Sequence, residues 1–151
     1  MEHSGKITDV KTMISCKHVS KTFENNGKKN EVLKDISLEV AENEFMVILG
    51  PGQCGKTTLV NIMAGLDHET AGSVNVNGKK VDGPAPERGV VYQKTALFPW
   101  LTVEGNVGFG PKMAGLPKKE RKEKAEHYID LVGLTGFEKS YPIKLSGGMR
   151  Q

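Results

Sequence analysis

Gly50-Pro51-Gly52-Gln53-Cys54-Gly55-Lys56-Thr57 places a glycine, four residues and then Gly-Lys-Thr at a spacing that cradles an anion. Glycines let successive backbone N–H groups turn toward one phosphate, and a helix that starts at the lysine adds the partial positive charge of its N-terminus. In such a loop the Lys56 ammonium reaches the β- and γ-phosphates of a nucleotide, and the Thr57 hydroxyl is a ligand for Mg²⁺. Gly50, Gly52, Gly55 and Thr58 complete the candidate phosphate-binding set. The competing interpretation is a chance glycine-rich turn. It loses ground because the five apolar residues Phe45–Leu49 precede the loop as a short strand expected to be buried on both faces. Leu59, Ile62 and Met63 follow at helical spacing, and Gly65 is placed to cap that helix. Strand, loop and helix in that order are the context the chemistry requires.

Other elements must hold this loop. Ile14, Cys16 and His18 alternate with polar neighbours and predict a strand, followed by a polar loop over residues 24–30 with Asn26-Gly27 at its turn. Ile36, Leu38 and Val40 predict a second, half-buried strand. Val74, Val76 and then Asn77-Gly78 predict a tight hairpin. Beyond Tyr92 the pattern changes. Leu97-Phe98-Pro99-Trp100-Leu101 is apolar but irregular, and Gly105, Gly108, Gly110 and Pro111 predict weak helicity after it. From Pro117 the helical signal returns, with Ala125, Tyr128, Ile129 and Val132 on one face and Gly133 at the end. The run Lys118–Lys124 carries both signs, with Glu120 and Lys124 one turn apart, and reads as a solvated face.

Composition narrows the class. The 151 residues hold 37% apolar residues and 18 glycines, which suits a globular α/β protein. A net charge of +3, interspersed rather than blocked, gives no call for a nucleic-acid partner. Cys16 and Cys54 are the only cysteines, and one lies inside the phosphate loop, so both are expected as free thiols in a reducing compartment. Residues 1–12 are polar and predict a tail rather than a signal peptide. No stretch of 18 apolar residues is present to span a bilayer.

The final run, Leu145-Ser146-Gly147-Gly148-Met149-Arg150-Gln151, resembles residue for residue the signature motif of ABC-transporter ATPases. Further segments resemble that family in the same order. Val19-Ser20-Lys21-Thr22-Phe23 is similar to the segment whose aromatic residue, here Phe23, stacks on adenine. Gly89-Val90-Val91-Tyr92-Gln93 resembles the strand that ends in the Q-loop glutamine, here Gln93, which contacts Mg²⁺ or the attacking water. Residues 96–103 look like the segment after that glutamine in the nitrate, sulfonate and taurine import ATPases. The resemblance covers essentially the whole chain after the tail.

What it implies is specific. The fold is α/β: a P-loop NTPase (RecA-like) core over residues 13–94, with an N-terminal antiparallel β segment, and an inserted helical subdomain over residues 95–151. The cofactors are ATP and Mg²⁺. Ser146, Gly147 and Gly148 close on the γ-phosphate held by a second ATP-binding subunit in a head-to-tail dimer. A membrane permease, and through it an extracytoplasmic solute-binding protein, are the other partners, placing the protein on the cytoplasmic face of the membrane. The implied activity is ATP hydrolysis driving uptake of a small solute such as a sulfonate, nitrate or taurine-like anion.

Two departures stand against the pattern. The family's loop usually reads Gly-Pro-Ser-Gly-Cys-Gly-Lys, whereas Gly52-Gln53 stands here in place of Ser-Gly. A positive φ at that point is costly for glutamine. In addition, the buried strand ending in Asp-Glu and the later histidine that follow the signature in the family are missing from these residues. His3, His18, His68 and His127 all precede the signature. The C-terminal part of the fold is thus expected to lie outside residues 1–151, and the 151-residue chain alone is expected to be inactive. The alternatives are a non-hydrolysing nucleotide-binding or interaction module, and another P-loop enzyme such as a nucleotide kinase.

Overall fold

A computed structural model describes residues 11–151, so most of the expected tail lies outside the described residues; Thr12 already belongs to a strand. The chain divides into two compact units, residues 1–90 and 91–151.

The first unit is built on a four-stranded antiparallel sheet of order β2-β1-β3-β4. Strands β1 (Thr12–Asn25) and β2 (Lys28–Ala41) form a long hairpin. Asn26 and Gly27 both have positive φ, 50° and 72°, the twist-matched geometry of a two-residue turn. The expected loop over residues 24–30 therefore shrinks to that turn. Phe23 pairs with Asn30 and Glu24 with Lys29.

The simple alternation expected through His18 also fails. His18 and Asp35 both take positive φ, and their N–H groups donate across the hairpin to Ser37 Oγ (2.9 Å) and Ser20 Oγ (3.0 Å). This pair of bulges turns His18 to solvent and brings Val19 into the core beside Cys16.

Helix α1 (Lys56–Ala64) packs on that core through Leu59 and Ile62, with Val74 and Val81. Each such side chain contributes about 1.5–3 kcal/mol on burial. Gly65, at φ 78°, ends the helix by donating to Ile62 O (3.0 Å), and Leu66 N–H donates to Asn61 O (2.8 Å). A Cβ at Gly65 would collide with the carbonyl of Gly83. The hairpin of β3 (Ala71–Val76) and β4 (Lys79–Lys80) turns at Asn77-Gly78 as expected.

Two further expectations are overturned. Phe45–Leu49 pairs with no other strand among the described residues, and Phe45 and Leu49 are 92% and 86% exposed rather than buried on both faces. An apolar run becomes a central strand only when neighbours supply ladder partners and covering faces. Residues 89–93 likewise form no strand.

In the second unit Leu97–Leu101 is irregular, as its proline predicts, yet firmly tied. The Asn106 side chain accepts from Phe98 N–H (2.8 Å) and donates to the carbonyls of Phe98, Leu101 and Thr102. Thr102 caps helix α2 (Val103–Val107) by accepting from Gly105 N–H, and α3 (Phe109–Met113) follows. This cap and the Asn106 network offset the glycines that argued for weak helicity.

Helix α4 (Lys118–Leu131) starts after Pro117, which is its N-cap rather than its first residue. Ala125 and Ile129 are buried, but Tyr128 and Val132 are exposed, so its apolar stripe is narrower than the spacing predicted. Its ion pairs are Lys119–Glu123 and Lys122–Glu126 rather than Glu120–Lys124. A 3-10 turn (Pro142–Lys144) leads into α5 (Gly147–Arg150). Val103, Ile129 and Leu145 form the core here, with Val107, Leu134 and Met149 against it.

Candidate functional site

The phosphate loop curls around its own lysine. Lys56 Nζ donates to the carbonyls of Gly50 (2.8 Å) and Pro51 (2.6 Å) and lies 3.4 Å from Cys54 Sγ. Gly55, at φ 92°, starts the helix against β2, where a Cβ would press on the Leu33 side chain and the Val32 carbonyl. The first helical bond runs from Leu59 N–H to Gly55 O (2.9 Å), which leaves the N–H groups of Lys56, Thr57 and Thr58 without intrahelical acceptors. No side chain caps them, and no acidic residue lies in the first turn. Their residues line a depression of about 150 Å³, together with Val32, Gln53, Cys54 and Gly55.

Uncapped donors and the positive end of a helix beside one small concavity fit a phosphate group. Among the described residues no three His, Cys, Asp or Glu side chains cluster as metal ligands. A divalent ion here would take the Thr57 hydroxyl as its side-chain ligand, with phosphate oxygens completing a coordination that suits Mg²⁺.

Gln53 sits at φ 63°, the left-handed geometry that the sequence put in question. A non-glycine residue there costs about 1–2 kcal/mol. Gln53→Gly is therefore expected to leave ATP affinity unchanged or to tighten it a few-fold by calorimetry. Weaker binding would contradict the strain argument.

Phe23 lies on β1 in the same unit and is 41% exposed. The ammonium of Lys21 stands over its ring, 4.8 Å from the centroid. That ammonium donates to Asp67 Oδ1 (2.6 Å) and to His68 O (2.7 Å) in the turn that follows α1. The hydrogen bond from Lys21, more than any other contact, holds the Asp67 carboxyl below the usual aspartate range.

Gln93 and the Ser146-Gly147-Gly148 set belong to the second unit. Gln93 lies exposed in a non-helical, non-strand segment. Ser146 is the N-cap of α5, its hydroxyl accepting from Met149 N–H at 3.3 Å, and nothing stands within 4 Å of where a Cβ would be on Gly147 or Gly148. Gln151 Nε2 donates to Tyr92 O (3.4 Å), which sets the end of the signature beside the neighbour of Gln93. Each unit thus gathers its own predicted residues. Phe23, Gly50, Gly52, Gly55, Lys56, Thr57 and Thr58 fall in the first, and Gln93 and the signature in the second.

The sequence did not single out Val32, Lys21, Asp67 or Asn106. Val32 and Asp67 act through strand register and a turn 46 residues from Lys21, signals no local pattern carries. Asn106 had one local clue, an amide four residues after a capping threonine. Both cysteines are free, as expected; burial pushes the Cys16 thiol up, and Cys54 is exposed in the loop.

Residues 33–151 match the family described as ABC transporter. An uncharacterised ABC transporter ATP-binding protein of Methanocaldococcus jannaschii is 51% identical over 142 residues, 94% of this chain and 53% of its own. A taurine import ATP-binding protein of Roseobacter denitrificans is 44% identical over 141 residues, covering 93% of this chain and 53% of that protein. A nitrate import ATP-binding protein of Synechocystis is 46% identical over 127 residues, 83% of this chain and 48% of that one. The chain spans about half the length of the curated relatives it matches. Among solved structures, a dimeric ATP-binding cassette bound to ADP and Pi in a post-hydrolysis state superposes with a TM-score of 0.81 at 29% identity, covering 91% of this chain and 65% of that one. The fold is therefore the α/β cassette with its antiparallel N-terminal sheet, and a nucleotide kinase is set aside. On its loop, its signature and these matches, this chain belongs to the ATP-binding proteins of the ABC transporter family.

Proposed function

We propose that the whole protein is the ATP-hydrolysing subunit of an ABC importer for a small anion of the sulfonate, nitrate or taurine kind. One observation supports the nucleotide half: the N–H groups of Lys56, Thr57 and Thr58 at the start of α1 have no intrahelical acceptor, and these three residues line one depression. Lys56, Thr57, Thr58 and the glycines at 50, 52 and 55 bind the phosphates, and the face of Phe23 receives the base. Stacking of this kind is worth about 1–3 kcal/mol. Thr57 would hold Mg²⁺, which neutralises phosphate charge when bound. Ser146, Gly147 and Gly148 face the γ-phosphate of a second ATP-binding subunit arranged head to tail, so that nucleotide and dimer stabilise each other.

The transport half rests on the relatives named for taurine and nitrate import. No helix among the described residues is long and apolar enough to cross a membrane, and we assign the pathway to a separate permease. We assign the protein to the cytoplasmic face of that permease, with a solute-binding protein on the far side.

The permease contact is placed at Leu97–Leu101. Trp100 is 70% exposed, packs on Phe98 at 5.5 Å between centroids, and lines an open groove of about 550 Å³ with Leu101, Phe109, Lys112, Arg121 and Lys122. Exposed aromatic surface beside a groove suits an incoming amphipathic helix. Trp100 fluorescence is expected to shift when the cognate permease is added in detergent. An unchanged spectrum on demonstrable complex formation would place the contact elsewhere.

A further inference from the structure

Lys21 is an unusual surface lysine, because only 13% of its side chain is exposed and every direction of its ammonium is taken. On one side stand Asp67 Oδ1 and the His68 carbonyl; on another lies the Phe23 ring. The same turn is bound to β1 on both flanks of Lys21. Thr70 N–H donates to Ser20 O (2.8 Å), and Thr22 N–H donates to Thr70 Oγ1 (3.0 Å). That turn is continuous with the capped end of α1, the helix that begins at Lys56.

We propose that Lys21 is a positioning residue of the nucleotide site: anchored by Asp67, it holds one face of Phe23 so that the opposite face is presented to a purine base, and it ties that platform to the phosphate-binding helix. The proposal rests on Phe23 being the residue that stacks on the base. Two effects follow from the geometry. The bound ammonium fixes the ring before the ligand arrives, which removes part of the ordering cost of binding. It also draws π density toward one face, leaving the other a better partner for an electron-rich base.

The test compares ATP·Mg with inorganic tripolyphosphate·Mg, by calorimetry on the full-length protein. Lys21→Met keeps the stem and removes the charge. It is expected to weaken ATP about fivefold to tenfold, the range of a partly desolvated cation–π contact, and to leave tripolyphosphate unchanged. Lys21→Arg should restore ATP affinity. In the Phe23→Ala background Lys21→Met should have no further effect.

Unchanged ATP affinity in Lys21→Met, with Phe23→Ala still weakened, would overturn the role of Lys21 and leave the base assignment standing. Unchanged affinity in Phe23→Ala would overturn the base assignment itself. Equal losses for ATP and tripolyphosphate would show that Lys21 acts only through the fold. Should Lys21→Met fail to fold, Asp67→Asn carries the same comparison, with an expected loss for ATP alone.

Discussion

Lys56→Ala is expected to lower ATP affinity by at least about 100-fold, measured by calorimetry in a polypeptide carried through to the length of the curated relatives. Charge-assisted hydrogen bonds to phosphate are worth about 1.5–3 kcal/mol each, and the ammonium spans two phosphates, so about 3 kcal/mol is at stake. The side chain also closes the loop on itself through the carbonyls of Gly50 and Pro51, and alanine releases that closure. Thr57→Ala separates the two contributions. It leaves the ammonium in place and removes the hydroxyl, so its loss should appear with Mg²⁺ present and largely vanish without it. Unchanged affinity in Lys56→Ala would remove the phosphate-loop assignment altogether.

The 151-residue polypeptide made by itself is expected to show no ATP turnover above background and to associate with itself. Phe45 and Leu49 stand almost fully in solvent on a segment without strand partners among the described residues. An extended apolar segment with free backbone donors and acceptors is a template for another chain. Leu49→Glu should therefore shift the population toward monomer in light scattering. Chemistry fails for a separate reason. Among the described residues no three His, Cys, Asp or Glu side chains gather to share in holding a metal. A monodisperse monomer with one cooperative unfolding transition would refute the structural half. Mg²⁺-dependent turnover that Lys56→Ala abolishes would refute the chemical half.

The parts of this fold that could be read from the sequence are those fixed within a few residues. Helix α1, its cap at Gly65 and the turn at Asn77-Gly78 each follow from one glycine at a positive φ beside a periodic run. The phosphate loop is legible for the same reason, since its chemistry lies within eight consecutive residues. Elements that depend on distant partners were not. The apolar run Phe45–Leu49 has the composition of a central strand, and composition carries no information on whether neighbours are present to pair with it. The bulges at His18 and Asp35 are set by serines on opposite strands, so periodicity within either strand misplaces the residues after them. At α2 and α3 local glycines predicted weakness, and a side-chain network from Asn106 prevailed. Lys21 is the sharpest case. In the sequence it is one lysine among many, and only the register between β1 and the turn after α1 shows what it holds.

The apposition of Gly65 and Gly83 bears on how this protein tolerates change. Neither glycine lines the phosphate depression. Yet any side chain at 65 strikes the Gly83 carbonyl and forces an unfavourable φ as well. The axis of α1 is therefore clamped at the end remote from the nucleotide, and the start of the helix inherits its aim from that clamp. A survey of substitutions scored only by growth would rank position 65 beside Lys56, as though both touched the substrate. The two intolerances have different origins, one chemical and one steric.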